Sequence, residues 1–233
     1  PVGVTLPSKA PLDDGKMQHD VLIQTVDVSK ASYRTGRGTE LNFRDAWQFN
    51  VAGYELAKML ELNMVPPYVE RTVSGVPASL SWWVNDAMME RERFQKKISP
   101  PDVARWTAEM SAARVFHELI ADTDFNMTNL LITKDWRVWL IDFSRAFRLT
   151  KSLREPKNLT RVDRKLLANL LTSPLAAEGD LSLASLYDRM TNNVAQGAQT
   201  AGAAADGFRH FQQALEAQNL AITSVNIDEE AVR

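Results

Sequence analysis

The chain has 233 residues, 45% hydrophobic and 24% charged, with no cysteine and a formal net charge of −2. That is room for one large domain or two small lobes of ordinary globular composition. It excludes a disulfide framework, a thiolate zinc site and a cysteine nucleophile. No apolar run approaches the roughly 20 residues that span a bilayer, so a soluble protein with no membrane span is expected. The chain starts at Pro1 rather than Met, so the expected compartment is cytoplasmic or, if a leader has been trimmed, periplasmic or secreted. Near-neutrality argues against a general nucleic-acid binder. Six Trp, nine Phe and eight Met can supply a sizeable core.

Along the chain, Val4 to Leu6 reads as extended, and Asp13-Asp14-Gly15 as a turn. A strand follows over His19 to Val28, apolar on both faces. Residues 29–42 are polar and contain glycine, and read as a loop. The spacing of Trp47, Val51, Tyr54, Ala57 and Leu60 predicts a helix from about Arg44 to Leu62, with Asn42 or Asp45 as N-cap and Asn63 as C-cap. Pro66-Pro67 ends it, and a hairpin turning at Ser74-Gly75 follows. A polar stretch, 85–99, leads to Ser99-Pro100-Pro101-Asp102, a strong helix start. Val103, Trp106, Met110, Ala113, Phe116 and Ile120 then mark one buried face. Two short strands, NLLIT and WRVWLID, flank a turn at Lys134-Asp135. The remainder reads as helical over 160–172, where Thr160 and Asp163 form a capping-box variant, then 180–195 and 206–219, with a connector at 195–205.

The informative segment is residues 115–147. It places Asp124 at a helix-to-strand turn, Asn129 five residues later, and Asp142 at the end of the next hairpin. An Asp so placed can orient a substrate hydroxyl or accept its proton. An Asn and a second Asp from a neighbouring strand end can converge as hard oxygen ligands on Mg²⁺ beside nucleotide phosphates. Asp-x-x-x-x-Asn, two short strands and Asp-Phe is the spacing of the catalytic and metal loops of protein kinases.

The motifs Thr123-Asp124-Phe125-Asn126-Met127-Thr128-Asn129-Leu130-Leu131 and Ile141-Asp142-Phe143-Ser144-Arg145-Ala146-Phe147 resemble a particular branch of the kinase-like superfamily. That branch holds HipA-type Ser/Thr kinases, phosphoinositide lipid kinases and their bacterial relatives. VAGYELAKMLELNMVPPYVER is similar to its helix and following strand, and GVTLPSK to its phosphate-facing turn. The resemblance covers roughly residues 3 to 172; the last sixty residues match no motif. It implies an α+β, bilobal protein-kinase-like fold with a reduced N-lobe of antiparallel sheet plus one helix, and a mainly helical C-lobe. The implied division is 1–65 for the N-lobe, 66–86 for a hairpin and hinge, 87–222 for the C-lobe with its catalytic and metal loops, and 223–233 for a tail. The implied cofactors are ATP and Mg²⁺, with Asp124 catalytic, Asn129 and Asp142 holding metal, and Asn126 steadying the loop or touching metal or phosphate.

Three positions depart from the family pattern. Gln24 stands where the nucleotide lysine belongs, Asn50 where its glutamate partner belongs, and Phe125 follows the catalytic Asp in place of Arg. Losing both charges together is coherent, because either alone would be a buried charge without its partner. A Gln24–Asn50 amide pair can bond across the same gap but brings no positive charge to phosphate; Lys9 or Lys16 could supply a relocated cation. The resemblance therefore implies a slow ATP/Mg²⁺-dependent phosphotransferase acting on a hydroxyl acceptor. The alternatives are a pseudokinase that binds nucleotide or scaffolds without turnover, and an interaction domain with a vestigial pocket.

Other residues read more plainly. His117 is expected to be a satisfied or half-exposed histidine, Asp122 a turn residue, and both rings of Trp82-Trp83 core, with one as an alternative adenine cover. No Ser/His/Asp arrangement supports a hydrolase. Residues 145–165 carry eight basic side chains against Glu155 and Asp163. This run reads either as a solvated helical face or as an acceptor site for an acidic or phosphorylated partner.

Overall fold

A computed structural model describes residues 7–35, 38–148, 154–155, 159 and 162–172. These build an α+β architecture with antiparallel strand pairing. Strands β1 (Ser8–Asp13) and β2 (Gln18–Gln24) form a hairpin. Its turn is closed by Gly15 at φ +80° and by Asp14, whose Oδ1 accepts from the amides of Lys16 and Met17. The second hairpin, β5 (Tyr68–Val73) and β6 (Val76–Trp82), turns at Ser74-Gly75, where both φ values are positive. That is the twist a two-residue loop needs. β2 pairs with β6, giving a four-stranded sheet in the order β1-β2-β6-β5.

Between the two hairpins lie two elements. The first is an independent two-stranded sheet, β3 (Asp27–Thr35) with β4 (Gly38–Ala46). It occupies most of the segment that reads as a loop, and it takes over the end of the expected strand, which stops at Gln24. The reason is visible in its environment. The hairpin is exposed over most of both faces, so no apolar alternation marks it. Tyr33 and Phe43, whose ring centroids are 4.3 Å apart, are its main apolar pair.

The second is α1 (Gln48–Met59), shorter at both ends than its periodicity predicts. Arg44 to Ala46 belong to β4, so Asn42 and Asp45 cannot cap; the N-cap is Trp47, with no side-chain bond. At the other end Glu61, not Asn63, takes the left-handed conformation (φ +53°), and Leu62 N–H returns to the Ala57 carbonyl.

The polar stretch 85–99 holds β7 (Met88–Met89) and α2 (Glu90–Gln95). Helix α3 (Val103–Leu119) starts as expected, with Asp102 Oδ1 accepting from Arg105 N–H at 2.9 Å. Its buried face begins later than expected, since Val103 is 65% exposed. β8 (Leu130–Ile132) and β9 (Val138–Leu140) join β7 in a third sheet. Helix α4 (Arg164–Thr172) is capped by Asp163, which accepts from Leu166 N–H at 2.9 Å. Thr160, the extended segment at 4–6, the helices at 180–195 and 206–219 and the connector at 195–205 lie outside the described residues.

The main core runs through α1, β5, α3, β8, β9 and α4, with Leu60, Tyr68, Phe116, Leu140, Phe143 and Leu170 deeply buried. A smaller cluster of Val21, Ala78 and Leu80 lies on the four-stranded sheet. Burying each such side chain is worth about 1.5–3 kcal/mol. The larger core therefore fixes how α1 sits against the segment that carries Asp142. Among the described residues no helix is long and apolar enough to cross a membrane.

Candidate functional site

Two hydrogen-bonded networks meet beside Phe143. In the first, Asn50, fully buried on α1, donates from Nδ2 to Gln24 Oε1 at 2.8 Å. Its own Oδ1 accepts from Phe143 N–H at 2.7 Å. Gln24, at the end of β2, donates from Nε2 to Asp142 Oδ1 at 3.3 Å. The hydrogen bond expected between the Gln24 and Asn50 amides is thus present, and the network reaches on to Asp142. Ser144 Oγ donates to the same carboxylate oxygen at 3.0 Å. Tyr68 Oη accepts from Asp142 N–H at 3.2 Å, and burial pushes the Tyr68 phenol well above its usual range, so it stays protonated. Asp142 itself has φ +61°, a conformation rare for residues other than glycine and one that concentrates at functional sites. Burial raises the Asp142 carboxyl above the ordinary aspartate range, against the hydrogen bonds from Ser144 and Gln24 that lower it.

The second network is the turn after α3. Asn126 Nδ2 and Asn129 Nδ2 both donate to the Asp124 carbonyl, at 2.7 and 3.1 Å. Asn126 Oδ1 accepts from the amide and hydroxyl of Thr128. Asn126 therefore holds the loop, one of the two roles open to it from sequence. The Asp124 side chain is 45% exposed, and Arg145 Nη1 stands 3.5 Å from its Oδ1. Ile141 N–H bonds to the Asn129 carbonyl at 3.1 Å, which sets Asp142 next to Asn129 along paired backbone.

Beneath this loop lies a pair with a larger role than its sequence suggested. His117 Nδ1 and Asp122 Oδ2 are 2.7 Å apart and both groups are buried. Asp122 Oδ1 accepts from Asp124 N–H at 2.8 Å, and the His117 ring stacks on Phe125 at 3.9 Å. Asp122 is thus a buried anchor that fixes the Asp124 backbone, and Phe125 packs inward on histidine. The two-residue offset between Asp122 and Asp124 is the Asx-turn signal that could have revealed it.

Lys9 is not brought to either network. Its ammonium pairs with Asp20 at 2.6 Å and lies over the Trp83 ring at 4.5 Å. Lys16 sits in the β1–β2 turn. Trp82 and Trp83 are both half-buried rather than core; Trp82 stacks on His19 at 3.6 Å, and the Trp83 carbonyl is 2.9 Å from His19 Nε2.

The basic run divides. Lys151, Lys157 and Arg161 lie outside the described residues. Arg154 Nη1 donates to the Asp122 carbonyl, and Lys165 pairs with Glu61 at 2.9 Å. Arg145 and Arg148 turn inward onto Glu40 of β4, at 2.9 and 3.0 Å. Burial lowers the Arg148 guanidinium to about 10, against the attraction of Glu40. Sequence reasoning missed Glu40 altogether, because it lies in the segment taken for a loop.

Among the described residues no three His, Cys, Asp or Glu side chains form a metal cage. The candidate metal set is one amide and one carboxylate, Asn129 and Asp142. No protein-family model matches the chain, and no curated protein matches it.

Proposed function

We propose that the chain is an ATP- and Mg²⁺-dependent phosphotransferase of bilobal, kinase-like fold, acting on a hydroxyl acceptor. The observation that carries this reading is the hydrogen-bonded chain from Gln24 through Asn50 to the backbone after Asp142. It joins the strand, the helix and the strand-end carboxylate that a nucleotide site of this type needs together, with neutral amides in place of an ion pair. The order β1-β2-β6-β5 with α1 packed against β5 and β6 supports the same reading.

Asn129 and Asp142 would hold the metal. Mg²⁺ commonly takes one or two protein oxygens and completes its shell with water and phosphate, so a two-residue donor set suits it. Bound there, the ion would neutralise charge on the phosphates. The chain's own residues have distinct tasks. Asp142 is aimed by its left-handed backbone, by Ser144 and by Gln24. Asp124 is held by Asp122 and by the two asparagines. Its carboxylate takes the acceptor proton as the acceptor oxygen bonds to the terminal phosphorus and the bond from phosphorus to the bridging oxygen breaks. Among the described residues no lysine joins the Gln24–Asn50–Asp142 network, and on this reading turnover is expected to be slow.

Phosphate release or transfer from ATP in the presence of Mg²⁺ tests the reading. It should disappear in Asp124→Asn, with the fold unchanged by circular dichroism. Equal turnover in the variant would remove Asp124 from the mechanism. One observation favours a pseudokinase as the second reading: the Arg145 guanidinium lies 3.5 Å from the Asp124 carboxylate and competes for the proton acceptor. Mg²⁺-dependent nucleotide binding without any turnover would decide for it.

A further inference from the structure

Glu40 lies near the tip of the β3–β4 hairpin, opposite Tyr33 and two residues from Gly38. It bridges two guanidiniums, with Oε2 on Arg145 Nη2 at 2.9 Å and Oε1 on Arg148 Nε at 3.0 Å. The Thr123 hydroxyl is 3.5 Å from Oε1 and 3.4 Å from Arg148 Nε. Both guanidiniums also lie against the Phe43 ring, at 5.1 and 5.2 Å. Arg148 is only 8% exposed, and its Nη2 is spent on the Arg44 carbonyl. Its Nη1, like Arg145 Nε, is buried and has no hydrogen-bond partner among the described residues. A buried, unpaired guanidinium N–H is costly. Glu40 holds Arg145 through Nη2 and leaves the adjacent Nε unused, whereas a phosphate offers acceptors to both arms of that fork.

The carboxylate that fills the place belongs to an exposed element. The hairpin forms a sheet of its own and is exposed over most of both faces. Its base is tied down by Trp47 N–H to Val26 O and Ala46 N–H to Ser144 O. Arg145 spans from Glu40 to Asp124, so an anion in place of Glu40 would lie one guanidinium away from the proposed proton acceptor.

We propose that Arg145, Arg148 and the Thr123 hydroxyl form an oxyanion subsite for a phosphate group carried by the acceptor, and that Glu40 plugs it in the unliganded protein. The role of the subsite in transfer rests on the phosphotransferase reading; its existence does not. An incoming phosphate monoester displaces Glu40, bonds Arg145 Nε as well as Nη2 and sets the acceptor hydroxyl beside Asp124.

The test is calorimetric titration of inorganic phosphate into the full chain, without metal or nucleotide, at constant ionic strength. Glu40→Ala should bind at least about tenfold more tightly than the unaltered protein, the scale of one charge-assisted contact. Adding Arg148→Leu should abolish that binding, and glycerol phosphate should bind Glu40→Ala as well as inorganic phosphate does. If Glu40→Ala does not fold, Glu40→Gln gives the same comparison with side-chain volume kept. Equal affinity with and without Glu40, or binding that survives Arg148→Leu, would overturn the proposal. Exclusion of glycerol phosphate while inorganic phosphate binds would overturn the assignment to an acceptor. The expected phosphate pattern without any effect of nucleotide upholds the subsite and removes the phosphotransferase reading; turnover without phosphate binding does the reverse.

Discussion

Asp142 is held where ionisation is costly. Burial lifts its carboxyl, and Ser144 and Gln24 only partly compensate. A carboxyl whose native pKa is raised binds its proton more tightly when folded, so its contribution to stability is lost as pH rises through the native value. Asp142→Asn keeps an acceptor for both neighbours and never ionises. In metal-free protein it should therefore raise the melting temperature at pH 7, with the gain shrinking as pH falls toward the ordinary aspartate value. A variant that melts lower than the parent at pH 7 would contradict this. Asn50 makes the opposite case. Asn50→Ala strands the Phe143 N–H and Gln24 Oε1 in a buried place, at about 1–3 kcal/mol for each group left unpaired. The denaturation midpoint should fall accordingly, while an unchanged midpoint would remove the network from the stability of the fold. At this scale the spacing of Asp124, Asn129 and Asp142 was legible as a local pattern, whereas the Gln24–Asn50 pair, 26 residues apart, was legible only through the family resemblance that aligns both positions. The His117–Asp122 pair was less legible, since only the closing of the α3 turn buries it.

Helix α1 is placed by close packing as much as by its apolar face. A Cβ on Gly53 would lie 2.9 Å from Phe143 Cδ2, and Phe143 is fully buried. Gly53→Ala adds helix propensity of about 1 kcal/mol. It also forces the ring, and the Asp142 backbone with it, to shift, and such overpacking costs about 1–3 kcal/mol. The variant should lose stability by thermal melt despite the better helix former; a rise in melting temperature would show that the ring gives way freely. Elements whose signals are local were readable: the Ser74-Gly75 hairpin, the Asp102 cap and the β8–β9 pair. The β3–β4 hairpin was not, because a strand pair exposed on both faces carries no apolar alternation. The ends of α1 were misplaced because β4 runs on to Ala46, past the residues that look like caps.

For the whole molecule, the α+β class follows from the order of elements, and the main core ties α1 to α3 and to the strand end that presents Asp142. The near-zero net charge conceals an uneven distribution that only the tertiary structure explains. Arg145 and Arg148 are drawn inward by Glu40, a residue distant in sequence, so a local charge run could not distinguish a solvated face from side chains paired within the fold. Asn129 and Asp142 are proposed to hold Mg²⁺ with nucleotide at this junction. The most direct test of that proposal is the melting temperature with millimolar ATP, with and without Mg²⁺. Binding to the folded state alone at a hundredfold excess over the dissociation constant stabilises by about 2.7 kcal/mol. A clear rise should appear only with ATP and Mg²⁺ together and vanish in Asp142→Ala. No shift in the unaltered protein, or an equal shift in the variant, would contradict the account.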